Sequence, residues 1–210
     1  MSARNDVSAY VISAICGNWW QESGINSGVW ENLQVGQWTD LNKGYGLGQW
    51  TNTGGDTHGR LYRLHDYMYN NGYDPSYFYG QLDYIPYEDV WFRRAEAYDY
   101  PTLNDFLTSQ DTNITALTHA WNIGWEGIHD ASWNRRVQYA LDVFDYLQNN
   151  YDPNTQYTPV VNNSYLSTSD RMNNACCMFA YWNGGVVPPT PPTPPTKKSK
   201  FWIYMAHPLH

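Results

Sequence analysis

Val7, Val11, Ala14, Ile15, Asn18 and Trp19 recur at three- and four-residue spacing, the period of one face of a helix. Glu22 continues that stripe beside Trp19 and Trp20, and Ser23-Gly24 then ends it. A carboxyl that exchanges its water for apolar or aromatic neighbours keeps its proton to a higher pH. Cleavage of a glycosidic bond needs such a carboxylic acid, because the leaving oxygen takes up a proton as the bond breaks. A Glu near a helix end is ordinarily a solvated residue, so this reading of Glu22 rests on its neighbours. Hydrolysis of the retaining or inverting kind also needs a second carboxylate at a defined distance. Asp40, Glu31 and Asp56 are available. Asp40, in the loop before Gly44-Tyr45-Gly46-Leu47-Gly48-Gln49-Trp50, is where an acid carried on a hairpin would face the first.

Other chemistries find less support. His58, His65, His119 and His129 form no HExxH and have no carboxylate at ligand spacing, so no metal and no cofactor is expected. Ser23 lacks the G-x-S-x-G elbow of a serine hydrolase. The three cysteines, Cys16, Cys176 and Cys177, show no framework spacing; Cys16, in an apolar stretch, reads as a buried thiol. With 15% charged residues and a net charge of -8, the chain has no basic stripe for a phosphate backbone, so nucleic acid is not an expected partner. Aromatic residues make up 17% of the chain, with 11 Trp and 19 Tyr. Rings that pair an apolar face with a polar edge suit sugars; a tryptophan-rich core accounts for part of the same count. No signal-peptide pattern opens the chain and no apolar run is long enough to span a membrane.

The segments around Glu22 carry a resemblance. Gly17-Asn18, Glu22-Ser23, Ile25-Asn26 and Trp30-Glu31-Asn32-Leu33, followed by Gly46-Leu47-Gly48-Gln49-Trp50-Thr51, resemble the lysozyme-type domain of phage tail-associated cell-wall hydrolases, such as those of short-tailed Bacillus phages. Goose-type lysozymes and lytic transglycosylases are more distantly similar. The likeness spans about residues 10 to 147 and is strongest in the first third; Ser27 stands where the family often has Pro, and Trp125-Glu126 where it has Tyr-Glu. It implies a lysozyme-like fold and peptidoglycan as substrate, cut at the β-1,4 bond between N-acetylmuramic acid and N-acetylglucosamine. It places the chain in a virion tail or at the host wall, with other tail proteins as possible partners. Glu22 would be the general acid. Tyr45, Gln49, Trp50 and Trp30 would line the cleft, the aromatic ones stacking on sugars unless Trp30 and Trp50 are core. Glu126 would border the cleft or, the favoured role, pair with Arg135 or Arg136. A relative with one carboxyl is a lytic transglycosylase, in which the 6-hydroxyl of the sugar replaces water. A third reading is a non-catalytic glycan-binding or virion structural module. A Glu22 in an open groove lined by Tyr45 and Gln49 would favour an enzyme; a Glu22 salt-bridged outside any groove would favour a module.

The elements that must position these residues are mostly helical. After the first helix, capped by Asp6, residues 25 to 57 read as Gly- and Asn-rich loops with a small irregular β region. Helices are predicted from Gly59 to Asn70, from Asp74 to Tyr84, from Pro86 to Tyr98, around Asn104 to Thr108, from Ile114 to Trp121, from Trp133 to Leu147 on Val137, Ala140, Leu141, Phe144 and Leu147, and from Ser169 to Trp182. Gly124 to Ser132 reads as a loop. The fold class is therefore α+β and mostly α, one domain over residues 1–183, with the β region forming one groove wall and the later helices the other. A Pro/Thr-rich linker over 184–196 follows, an extended spacer by composition, and then a short tail or truncated second module over 197–210.

Overall fold

The computed structural model describes residues 7–94, 97, 99–127 and 132–185. Asp6, His129, the proline repeat and the tail 197–210 lie outside the described residues. The fold is mostly helical: α1 (Ala9–Glu22), α2 (Arg60–Asn70), α3 (Phe78–Glu88), α4 (Leu103–Leu107), α5 (Ile114–Trp121), α6 (Trp133–Asn150) and α7 (Thr168–Trp182). No described helix is long and apolar enough to cross a membrane.

Ser8 caps α1, its hydroxyl accepting from the Val11 amide at 3.2 Å. The sequence predicts a one-sided stripe, but every residue from Val11 to Trp20 is buried. α1 is the central helix and packs against α5, α6 and α7. The side away from the predicted stripe, Ile12, Ser13, Cys16, Gly17 and Trp20, is buried as well. A Cβ on Gly17 would stand 2.5 Å from the Arg136 carbonyl oxygen and 2.6 Å from the Ala140 Cβ, so only glycine lets α1 and α6 cross this closely. Asn18 spans the same crossing region, its amide nitrogen donating to the Ala14 carbonyl at 2.9 Å and to the Thr118 carbonyl at 3.0 Å. Gly17→Ala is expected to destabilise the protein by about 1–3 kcal/mol through overpacking, read as a lowered midpoint in thermal denaturation.

α6 buries Arg136, Ala140, Val143 and Leu147, a stripe offset from the predicted one, and Leu141 is exposed. The helix predicted to open at Asp74-Pro75-Ser76 begins later, at Phe78, because the Asp74 carboxylate accepts from both the Ser76 amide and hydroxyl and closes a local turn instead. α3 then runs through Pro86 to Glu88 and stops at Asp89, which is left-handed at φ 48°. Pro86 thus sits in the last turn, where it removes the amide donor that would reach the Leu82 carbonyl, and the helix ends two residues later. No helix follows it over residues 91–94; Trp91 instead packs over Gly124, where a Cβ would come within 2.7 Å of the indole. The loop predicted from Gly124 is in part helical. A π-turn, Asn122–Glu126, continues α5.

The expected β region is reduced to three isolated bridges, Trp30 to Tyr45, Tyr45 to Trp50 and Leu41 to Asn52. Left-handed backbone at Ile25, Asn32, Leu33, Asn42 and Gln49 interrupts every extended run before a ladder can form. The interior is aromatic. Trp19, Trp50, Trp121 and Trp125 are fully buried, and Trp121 and Trp125 stack at 4.9 Å with Trp19 edge-on to both. Cys16, Cys176 and Cys177 are free and buried, and burial raises the pKa of each.

Candidate active site

Glu22 is the last residue of α1. Gly24, at φ 66°, and Ile25, at φ 55°, turn the chain away there. Ser23 fixes that turn to the second motif: its hydroxyl lies 2.8 Å from the Leu47 carbonyl and 3.1 Å from the Trp19 carbonyl. Gln81, buried on α3, clamps the same two segments. Its carbonyl accepts from the Leu47 amide at 2.9 Å, and its amide nitrogen donates to the Ser27 and Pro75 carbonyls, each at 2.8 Å. Asn26 donates to the Asn162 and Ser164 carbonyls at 2.8 and 2.9 Å, which draws the segment before α7 alongside. Trp50 donates its indole N–H to Glu88 at 3.1 Å, and Glu88 in turn holds Arg60 through two contacts of 2.7 and 2.8 Å.

These ties shape a groove of about 360 Å³. Glu22 lines it together with Trp30, Glu31, Gln49, Arg135 and Arg171. The apolar setting expected around Glu22 is realised only in part, since Trp20 and Tyr139 line the groove with it. Trp19 is turned into the core, and Trp20 stacks on Tyr139 at 5.0 Å. Glu22, 25% exposed, is instead ion-paired to Arg136, which is 1% exposed. Arg136 also holds Glu126 at 3.1 Å, the Asn18 carbonyl and side-chain oxygens at 3.3 Å, and the Ser132 hydroxyl at 2.9 Å. Glu126 is steadied from the other side by Asn122, which donates to it at 2.9 Å and accepts from the Trp133 indole at 2.8 Å. The π-turn brings Asn122 and Glu126 to Arg136, an arrangement seen often where helices carry function.

The other residues singled out from the sequence divide. Gln49 and Trp30 line the groove; Trp30 shows only an edge, being 6% exposed. Gln49 is held in its left-handed turn by donating to the Gly46 carbonyl at 3.0 Å. Tyr45 is not a groove wall. It is buried against Trp30 and Trp38, at 4.7 and 5.1 Å, and burial pushes its phenol far above the ordinary range, with Asp74 adding to the effect. Trp50 is core, packed edge-on to Tyr84 and Trp125. Asp40 does not line the groove either: its carboxylate accepts from the Gln37 amide at 2.8 Å and closes a turn. The carboxylate that shares the groove with Glu22 is Glu31, placed by accepting from the Gly44 amide at 3.0 Å. Glu126 pairs with Arg136, and Arg135 faces the groove. Gln81 and Arg171 were not singled out from the sequence. Arg136 had a readable signal, since it stands four residues before Ala140 on the buried stripe of α6. A larger cavity, about 480 Å³, opens beside α2 and α3 around Asp66, Tyr67, Asp83, Tyr84 and Tyr87; none of the predicted site residues borders it.

The two motifs thus meet at one groove with a carboxyl at its wall, and the family model described as phage tail lysozyme matches residues 1–147. The chain belongs to the phage tail lysozyme family. No curated protein matches the chain. Membership gives the chain a lysozyme-like, wall-degrading activity, peptidoglycan as its substrate and a place in the virion tail or at the cell wall. The match ends at 147, yet Tyr165 and Arg171 also line the groove. One wall is therefore built by residues beyond the matched segment.

Proposed function

We propose that the protein is a muramidase-type glycosidase that cuts the β-1,4 bond between N-acetylmuramic acid and N-acetylglucosamine as a phage penetrates or lyses its host, with Glu22 as the acid. The observation that carries this reading is the trio Glu22, Arg136 and Glu126, in which Glu22 lines the groove and the other two are buried behind it. With both carboxylates ionised, the trio has one negative charge in excess. A proton on Glu22 leaves Arg136 still neutralised by Glu126, so no buried charge is stranded when Glu22 carries the proton that the leaving oxygen needs. Arg136 and Glu126 are positioning residues in this scheme. Glu31 takes the place expected of Asp40 as the second carboxylate, the one that would orient water.

The reading is tested by the products. Purified peptidoglycan treated with the protein and examined by mass spectrometry is expected to show reducing N-acetylmuramic acid ends. Anhydro ends would mean that Glu22 acts alone, as in a lytic transglycosylase; uncut strands would leave a glycan-binding module. The charge argument has its own check. Glu126→Gln takes from Arg136 a carboxylate that it holds at 3.1 Å, so activity on cell walls is expected to fall roughly tenfold to a hundredfold. Unchanged activity would remove Glu126 from the mechanism.

A further inference from the structure

Arg171, in the first turns of α7, reaches the groove from outside the family-matched residues. Its guanidinium is held on three sides. Nε donates to the Leu166 carbonyl at 3.0 Å. The carbon of the fork lies 5.2 Å from the centre of the Trp20 ring. Gly24 leaves the space for it, since a Cβ there would stand 3.3 Å from Nε. The remaining guanidinium nitrogens have no carboxylate among the described residues: Arg60 pairs with Glu88, and Arg136 with Glu22 and Glu126. Partial burial lowers the pKa of Arg171, with Tyr139 acting weakly in the opposite direction. Arg135 lines the same groove from α6, likewise with no ion pair to a described carboxylate.

A half-desolvated cation without a counter-ion is costly, and its fork is shaped for a planar carboxylate or a phosphate. That a second cation, the exposed Arg135, stands in the same groove of a protein with a net charge of -8 is against the general charge of the surface. The glycan of peptidoglycan carries a lactyl-peptide branch with carboxylates on every second sugar, beside the bond to be cut. We infer that Arg171, seconded by Arg135, is an oxyanion subsite that takes a carboxylate of that branch and so sets which sugar presents its bond to Glu22. This rests on the groove being the glycan-cleaving site proposed above.

The test uses the full chain carrying Glu22→Gln, which halts cleavage, and measures co-sedimentation with purified peptidoglycan stripped of wall phosphate polymers. Converting the carboxylates of that peptidoglycan to neutral amides is expected to weaken binding roughly tenfold, the scale of one charge-assisted contact. Adding Arg171→Gln is expected to bring binding to native peptidoglycan down to the amidated level and to abolish the difference between the two. Equal binding of the Arg171-intact protein to both materials would overturn the subsite without appeal to any variant's folding. So would discrimination that survives Arg171→Gln, or binding that depends on restored wall phosphate rather than on carboxylate. The underlying reading fails separately: a protein with native Glu22 that binds with this discrimination yet cuts no strand is a binding module with the subsite intact, and one that cuts native and amidated walls equally is a glycosidase without it.

Discussion

Glu22→Gln is expected to abolish the clearing of purified cell walls, a loss of roughly a thousandfold for removal of a general acid, while the protein stays folded. The substitution keeps the shape and an acceptor oxygen for Arg136, and Arg136 keeps Glu126 as its buried counter-ion at 3.1 Å. Removing one of two carboxylates from the trio therefore strands no charge, and stability should change by no more than about 1 kcal/mol. Turbidity loss and thermal denaturation, measured on the same preparations, separate the two effects. A variant that still clears walls would take Glu22 out of the reaction.

Arg136 is expected to give the largest stability effect in the chain. Arg136→Met keeps the aliphatic stem but takes from Glu126, with a side chain 5% exposed, its ion pair with Arg136. Breaking a buried pair from one side costs about 3–5 kcal/mol, which for a chain of this size lowers the melting midpoint by roughly 10 °C. Activity should fall with it, because Glu22 loses the contact that orients it. Arg136→Met combined with Glu126→Gln separates the two roles: the stranded charge is gone, so much of the stability should return, but Glu22 is still unheld and activity should not. Recovery of both would mean that Arg136 serves only the fold.

Much of the helical skeleton was readable because its determinants are local. Residues three and four apart meet on one face of a helix whatever surrounds it, so the end of α1 at Ser23-Gly24 and most later helices follow from spacing and stop signals. The irregular segment between α1 and α2 was readable as irregular, but its small β region was not realised beyond single bridges, since left-handed residues within it cut the extended runs. The aromatic content misled in part. An indole fits a core as well as a sugar platform, and Tyr45 and Trp50 went to the interior.

The sequence by itself thus determined where Glu22 stands, at a helix end joined by motif to the Gly46–Thr51 turn, because those features depend on neighbours within a few residues. Only the tertiary structure decided what Glu22 touches. Its partner Arg136 is 114 residues away, brought in by a helix crossing that Gly17 permits. The choice of Glu31 over Asp40 as the carboxylate sharing the groove, and the wall supplied by Arg171, depend in the same way on how distant segments pack. A spacing rule extends along one element, whereas a charge or a ring is assigned its role by whichever remote surface closes over it.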